Sequence, residues 1–356
     1  MGQDEIRLGL IGCGGISHFH ARAAKNSRHA IRFVACCDIR PDAAEAWAKQ
    51  CGCERFCTDF EAMLRTERLH GVLLATWPNQ HREQIERCLA AGARNILCEK
   101  ALTLTGKEAA EILTMANAAN AFVMEGFMYR HHPAIRKLET ILATGELGPV
   151  DNVRAAFHSF DPEMEPGDSP NRNWRQRREC GGGIPYDLAC YAVNACGHFT
   201  GSVPARAFAS GNVSPKYGTV NRLYGMIEYA NGTVGIIESS KKSSFNQELQ
   251  VTCANGILHV PVAWTLYDAS AIRQFRCESC GTLLTDTYAI RQADAYQLQL
   301  ENFAAVIRGQ EKPVVPLAQS VANTFAVEAL VTSLLEKRIV DVNVPASVAK
   351  AIARQG

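Results

Sequence analysis

The sequence predicts an α/β domain on a parallel sheet, followed by a second part with a mostly antiparallel sheet and a few helices. Three observations carry this. Short apolar runs alternate with amphipathic helical stretches over the first third of the chain. The style changes after about residue 125, and from Val153 onward the apolar period is two. Turn pairs such as Asn231-Gly232 and Asn255-Gly256 then separate successive runs. At 356 residues the chain exceeds one ordinary core, and we divide it at 1–125 and 126–356.

Ile6 to Ile11 reads as a strand, Ser17 to Lys25 as a helix, Ile31 to Cys37 as a strand and Pro41 to Gln50 as a helix. Val72 to Thr76 is a strand, and Gln80 to Gly92 a helix closed by its glycine. Asn95 to Cys98 is a strand, Thr105 to Asn120 a long amphipathic helix and Phe122 to Glu125 a strand. Near-continuous apolar strands alternating with helices imply a parallel sheet covered on both faces. Pro133 to Thr144 is helical. Period-two strands follow at Val153–Ser159, Ala205–Val213, Arg222–Tyr229, Thr233–Ser239 and Glu248–Val251. Tyr296–Ile307 and Ser320–Glu336 are the closing helices.

Charge and apolar content narrow the function. There are 37 basic and 36 acidic side chains, net +1, which gives no electrostatic case for nucleic acid or an anionic membrane. The first apolar run is too short for a signal segment, and no run reaches the length of a spanning helix. The chain is expected to be cytoplasmic. Fourteen cysteines are then expected to be reduced thiols, several inside apolar runs where a thiol acts as a small hydrophobe. Cys277-Glu278-Ser279-Cys280 is a lone C-x-x-C with no second pair for a structural metal, so no metal is expected. His131-His132 reads as a junction between domains.

The first turn carries the chemistry. Gly12-Cys13-Gly14-Gly15-Ile16-Ser17 lies between strand and helix as a G-x-G-x-x-G/A pattern ending in serine. Gly12 allows the tight turn, Gly14 lets a pyrophosphate approach the backbone, and a small last residue lets helix and strand pack closely. Gly15 and Ile16 open the helix, whose N-terminus faces the phosphates. About 20 residues on, the second strand ends in Asp38, Ile39 and Arg40. A carboxylate there accepts from a ribose 2′-OH and repels a 2′-phosphate, which favours NAD; Arg40 softens that repulsion and leaves NADP open.

Asn95-Ile96-Leu97-Cys98-Glu99-Lys100 resembles the Glu-Lys-Pro strand end of the glucose-fructose oxidoreductase/inositol dehydrogenase (Gfo/Idh/MocA) family. Ala75-Thr76-Trp77-Pro78-Asn79-Gln80-His81 resembles its third-strand exit, and Glu125 to Arg130 with Pro133 its domain junction. Gly181-Gly182-Gly183 followed by Asp187 and Tyr191 resembles its second-domain catalytic helix. The Leu298–Ile307 helix and Glu311–Pro316 segment resemble its C-terminal end, so the match runs in order over nearly the whole chain. The resemblance implies an α/β Rossmann domain followed by an α+β domain with a large, mostly antiparallel open sheet that buries one face in a homodimer or homotetramer. It implies reversible hydride transfer at a carbinol carbon of a sugar, cyclitol or dihydrodiol. It adds Thr76, Trp77, Asn79, His81, Glu99 and Lys100 to the cofactor contacts. Tyr129, Arg130 and His158 fall where the family lines its pocket. One residue departs: Ala101 stands where the family has proline, which implies a less firmly seated Lys100.

Oxidising a carbinol needs a group to take the hydroxyl proton as hydride leaves. Lysine and tyrosine both titrate near 10 unperturbed, and proximity with partial desolvation lowers both. Lys100 and Tyr191 are therefore the candidate relay. Asp187, four residues before Tyr191, shares its face of a helix and is placed to bond a substrate hydroxyl or to fix Lys100. Equally, Asp187 serves as a first-turn dipole partner and Tyr191 as a core aromatic. Arg172, Trp174, Arg175, Arg177 and Arg178 form a cluster before the glycine triplet. It reads either as a clamp for a carboxylate or phosphate with Trp174 stacked on a sugar face, or as a solvated loop. The leading reading is a sugar, polyol or dihydrodiol dehydrogenase. Its alternatives are a ketosugar reductase acting on a nucleotide-linked or acidic sugar, and a non-catalytic NAD(P)-binding regulator.

Overall fold

The computed structural model describes residues 5–160, 174–265, 270–278 and 281–354. The chain forms two compact units. The first comprises residues 1–103, 108–131 and 294–317, and the second 104–107, 132–293 and 318–356.

In the first unit the strands are β1 (Ile6–Ile11), β2 (Ile31–Cys37), β3 (Arg55–Cys57), β4 (Gly71–Leu74), β5 (Asn95–Glu99) and β6 (Phe122–Gly126). The helices between them are α1 (Gly15–Asn26), α2 (Pro41–Cys51), α3 (Phe60–Thr66), α4 (Pro78–Ala90) and α5 (Gly106–Ala118). All six strands are parallel, in the order β3-β2-β1-β4-β5-β6. β1, β2, β4 and β5 are almost wholly buried, as in a parallel sheet covered on both faces. β3 and α3 escaped the sequence reading. Arg55-Phe56-Cys57 is short and exposed at the edge, and α3 is a two-turn helix capped by Asp59. The strand order reverses between β1 and β4, and open sheets bind ligands outside the carboxyl ends at such a point.

Residues 133–143 form α6 (Pro133–Ala143), and His132 accepts the Ala134 N–H on Nδ1 to cap it at 3.1 Å. The unit boundary falls between His131 and His132, later than the division at residue 125. Then come β7 (Val150–His158), α7 (Cys190–Thr200), β8 (Pro204–Val213), β9 (Val220–Tyr229), β10 (Val234–Ser240), β11 (Leu249–Cys253), β12 (Gly256–Val260), β13 (Ser270–Glu278) and β14 (Gly281–Ile290). Next are α8 (Ala295–Ile307), α9 (Leu317–Glu336), β15 (Val340–Asp341) and α10 (Ala346–Ala353). The nine strands run β14-β13-β12-β11-β7-β10-β9-β8-β15, antiparallel except for β7 beside β10. The β11–β12 turn is Ala254-Asn255, since Gly256 already pairs with Cys253; the asparagine–glycine pair is offset by one from its expected place. α7 packs on β7 and β10. Val153, Ala155, Ile237, Leu223 and Val251 point to its side, while Phe208, Met226 and Ile236 lie in register on the other face, 36–42% exposed.

α8 follows the second sheet in sequence but belongs to the first unit. Its Phe303 ring lies 5.6 Å from that of Phe122, and Glu301 takes the Arg28 guanidinium at 2.7 Å. Period alone marked α8 as amphipathic without saying which core its apolar face joins. No helix among the described residues is long and apolar enough to cross a membrane. Twelve cysteines of the described residues are free thiols, and no metal-holding group of His, Cys, Asp or Glu occurs among the described residues. The C-x-x-C segment lies partly outside them.

Candidate functional site

Gly12 ends β1 with φ +96°, and a Cβ there would stand 2.7 Å from the Ala75 carbonyl oxygen at the β4 exit. Only glycine fits. Gly14 and Gly15 face open space, with no atom within 4 Å of an added Cβ. α1 starts directly behind them, with no acidic residue in its first turn and no side-chain cap on its N–H groups. Its uncapped dipole end is an anion site. Ser17 turns its hydroxyl to the Gly14 carbonyl at 2.5 Å, so the small last residue of the motif fastens the turn.

Asp38 accepts the Cys13 N–H on Oδ2 at 2.9 Å and the Arg40 N–H on Oδ1 at 3.0 Å. The carboxylate thus ties the glycine turn to the end of β2, and each oxygen keeps a second lone pair for a hydroxyl. Ile39 beside it is 87% exposed, an apolar surface facing solvent next to that carboxylate. Ile16 is half-buried in the first turn of α1. Together these residues fit a dinucleotide: a cradle that a Cβ would fill, free N–H groups for a pyrophosphate and a carboxylate for a ribose hydroxyl.

At the β4 exit, Thr76 Oγ1 meets Gln84 Oε1 at 2.5 Å, Trp77 is the N-cap of α4, and Asn79 is exposed in its first turn. His81 is fully buried, with Nδ1 3.0 Å from the Ala101 carbonyl and Nε2 3.3 Å from that of Thr76. Burial lowers its pKa against the pull of those carbonyls.

Lys100 follows directly on β5 and is half-buried. The Lys100–Ala101 peptide is cis. His81 holds the Ala101 carbonyl, and Glu125 Oε1 takes the Leu102 N–H at 2.7 Å. Glu99 is buried; its Oε1 lies 2.6 Å from His20 Nε2, and its Oε2 takes the Lys100 N–H at 3.3 Å. The sequence reading missed His20 and gave Glu125 no role. A histidine on the inward stripe of α1, with Ser17, Ala23 and Ala24, was the available signal.

In the second unit, Gly183 has φ +99°, and its missing Cβ would stand 2.7 Å from the Val220 carbonyl oxygen. The next turn, Pro185–Ala189, is a π-helix and not the regular α-helix expected; α7 begins only at Cys190. Asp187 and Tyr191 therefore straddle a π-to-α junction, a feature frequent at functional sites. Asp187 Oδ2 accepts from Arg175 Nε at 2.9 Å and lies 3.7 Å from Lys241 Nζ. Lys241 was missed, since nothing in the Lys241-Lys242 pair separates it from a solvated loop. Tyr191 is 5% exposed, its ring edge-on to Phe157 at 5.5 Å and 6.2 Å from Trp264.

The Arg175 guanidinium also lies over the Trp174 ring at 5.0 Å, whereas Arg172 lies outside the described residues. His158 ends β7 opposite Ser240, 6% exposed, with Nδ1 lacking a hydrogen-bond partner among the described residues. Burial lowers its pKa, opposed by Glu238 and Glu248. Tyr129 and Arg130 are wholly buried. Arg130 donates to the Val314 carbonyl at 3.1 Å, and the Tyr129 ring lies edge-on to that of Phe127.

Comparison with known proteins accords with this arrangement. The sequence model of an oxidoreductase family with an NAD-binding Rossmann fold (GFO_IDH_MocA) matches residues 6–127, and the GFO/IDH/MocA C-terminal domain matches residues 135–259. The chain is 28% identical to D-xylose 1-dehydrogenase (NADP(+)) 2 of Haloferax volcanii, over 92% of this chain and 97% of that protein. It is 26% identical to inositol 2-dehydrogenase of Rhizobium meliloti, over 95% and 99%. Levoglucosan dehydrogenase in complex with NADH superposes with a TM-score of 0.83 at 19% identity, covering 95% and 99%. The chain belongs to the GFO/IDH/MocA family of oxidoreductases, whose amino-terminal domain is an NAD-binding Rossmann fold.

Proposed function

We propose that the protein oxidises or reduces a CH–OH/ketone carbon of a sugar, polyol or dihydrodiol, with NAD favoured over NADP. The observation that carries this is Lys100 at the carboxyl end of β5, its backbone held from behind by buried Glu99, with Glu125 and His81 fixing the next two residues. Gly12, Gly14, Gly15 and Asp38 hold the dinucleotide, with Ile16, Ile39, Thr76, Trp77 and Asn79 around it. When bound, the nicotinamide supplies the hydride acceptor or donor.

The chain's own residues manage the proton. Lys100 and Tyr191 take it from the substrate hydroxyl, or return it to a ketone. The Tyr191 ring packs against Phe157 and Trp264, which limits the cost of ordering the phenol for reaction. Asp187, between Arg175 and Lys241, orients a second substrate hydroxyl, while Trp174 and His158 line the sugar.

Lys100→Met tests this reading. The expected result is loss of most turnover, on the order of 10²- to 10⁴-fold, with cofactor affinity nearly unchanged; wild-type kcat would remove lysine from the mechanism. The family names next to this chain make a screen of aldoses, polyols and dihydrodiols with NAD and NADP the direct route to the substrate. The in-register row Phe208, Met226 and Ile236 supports a homodimer or homotetramer through the open sheet face. Met226→Glu should then lower the mass measured by light scattering. The expected compartment is the cytoplasm.

A further inference from the structure

We propose that His20 and Glu99 form a positioning couple that fixes the Lys100 turn to helix α1, the helix whose N-terminus faces the cofactor phosphates. The inference rests on the reading of Lys100 given above. His20 lies in the second turn of α1 and is wholly buried, and the Glu99 side chain is 6% exposed. Their 2.6 Å contact is the distance of a charge-assisted bond. The other Glu99 oxygen takes the backbone N–H of Lys100. One uninterrupted series therefore runs from the phosphate-binding helix, through imidazole and carboxylate, to the lysine's own peptide.

The proton can be placed from the network. His20 Nε2 faces a carboxylate oxygen and so carries the proton. Nδ1 is buried, has no partner among the described residues, and is left as a bare lone pair. The Tyr296 ring stands perpendicular to the imidazole at 5.2 Å and packs against it. Gly126 completes the seat, because a Cβ there would lie 3.2 Å from Glu99 Oε1. A buried carboxylate that loses its donor carries an uncompensated desolvation cost, and a rotation of Glu99 that relieves it releases the Lys100 N–H. A displacement of about 1 Å at a reacting group costs about 10²-fold in rate.

The test compares His20→Leu, His20→Gln and Glu99→Gln with Lys100→Met, reading kcat, KM and the affinity for reduced nicotinamide dinucleotide by fluorescence. Glutamine at position 20 restores an N–H donor near Nε2; leucine does not. The expected result is a kcat loss of about 10²-fold in His20→Leu, unchanged KM and cofactor affinity, and recovery of most of that loss in His20→Gln. Wild-type kcat in His20→Leu overturns the couple, as does a parallel loss of kcat and cofactor affinity that glutamine fails to restore. Should His20→Leu not fold, Glu99→Gln decides: reduced kcat at unchanged affinity supports the couple and wild-type kcat overturns it. Full turnover in Lys100→Met would instead defeat the underlying reading of the lysine.

Discussion

The glycine turn makes a crossed prediction, because its two glycines are required for different reasons. Gly12→Ala forces an L-residue to φ +96°, which costs about 1–2 kcal/mol. It also sets a methyl 2.7 Å from the Ala75 carbonyl oxygen and 2.9 Å from Thr76 Cγ2. Both neighbours belong to or flank the β4 exit, so relief requires backbone movement worth about 1–3 kcal/mol. The total, about 2–5 kcal/mol, lowers the melting temperature by roughly 5–15 °C in a domain of this size. Gly14→Ala meets no atom within 4 Å and sits at φ −82°. Its stability stays within about 1 kcal/mol, the range of an N-cap change. The added methyl instead occupies the space in front of the α1 N–H groups, and cofactor affinity falls about tenfold, or 1.4 kcal/mol. Scanning calorimetry and fluorescence titration with reduced dinucleotide separate the two. A Gly14→Ala protein that binds like wild type, or a Gly12→Ala protein that melts like wild type, refutes the assignment.

Tyr191→Phe keeps the ring contacts to Phe157 and Trp264, so the melting temperature should hold while kcat falls by about 10²- to 10⁴-fold. Asp38→Asn removes the charge that repels a 2′-phosphate; the ratio of NAD to NADP affinity should shift toward NADP by about tenfold or more, a change of 1.4 kcal/mol, read by competition titration. Burial pushes His132 down to about 4, where it caps α6 in its neutral form. As pH falls below about 6.5 the unfolded chain takes up the proton first, so this contribution is full above that pH and is lost on the way to about 4. His132→Asn keeps a capping oxygen that does not titrate. Wild type should therefore lose about 1–3 kcal/mol more than the variant between pH 7 and 4, and parallel unfolding curves would deny the cap its neutral imidazole.

What the sequence revealed follows from how local each signal is. The glycine turn and Asp38 were legible because a tight turn, an open helix end and a strand-end carboxylate are set by neighbours along the chain. The parallel sheet was legible because burial on both faces leaves no polar alternation in β1, β2 or β5. Lys241 was not legible, since its relation to Asp187 is made by β10 ending beside the π-turn and leaves no trace in spacing. The π-turn itself was hidden, because a hydrogen-bond span longer by one residue at Pro185–Ala189 leaves composition unchanged. Spacing is equally silent on the bond from the Arg130 guanidinium to the Val314 carbonyl, 184 residues on. α8 shows the same limit on a larger scale: Phe303 and Glu301 choose a core some 170 residues or more away in sequence, at Phe122 and Arg28.

The distribution of buried polar groups in the first unit bears on function independently of any motif. Among the buried polar groups of this unit, His20, His81, Glu99 and Glu125 gather around residues 99–102. Each costs free energy to remove from water and is offset only where a partner is supplied. Three of the four contact the backbone of residues 100–102, and the fourth holds one of those three. Stability alone is served better by apolar residues at such positions, as it is when buried ion pairs are replaced by well-packed hydrophobic ones. Departures from apolar packing that converge on one short backbone segment are expected where position matters more than stability. That segment begins with the single lysine at the end of β5. Replacing Glu125 by Leu should accordingly cost more in kcat than in melting temperature; a stabilised variant with full turnover would show that the cluster serves something other than the lysine.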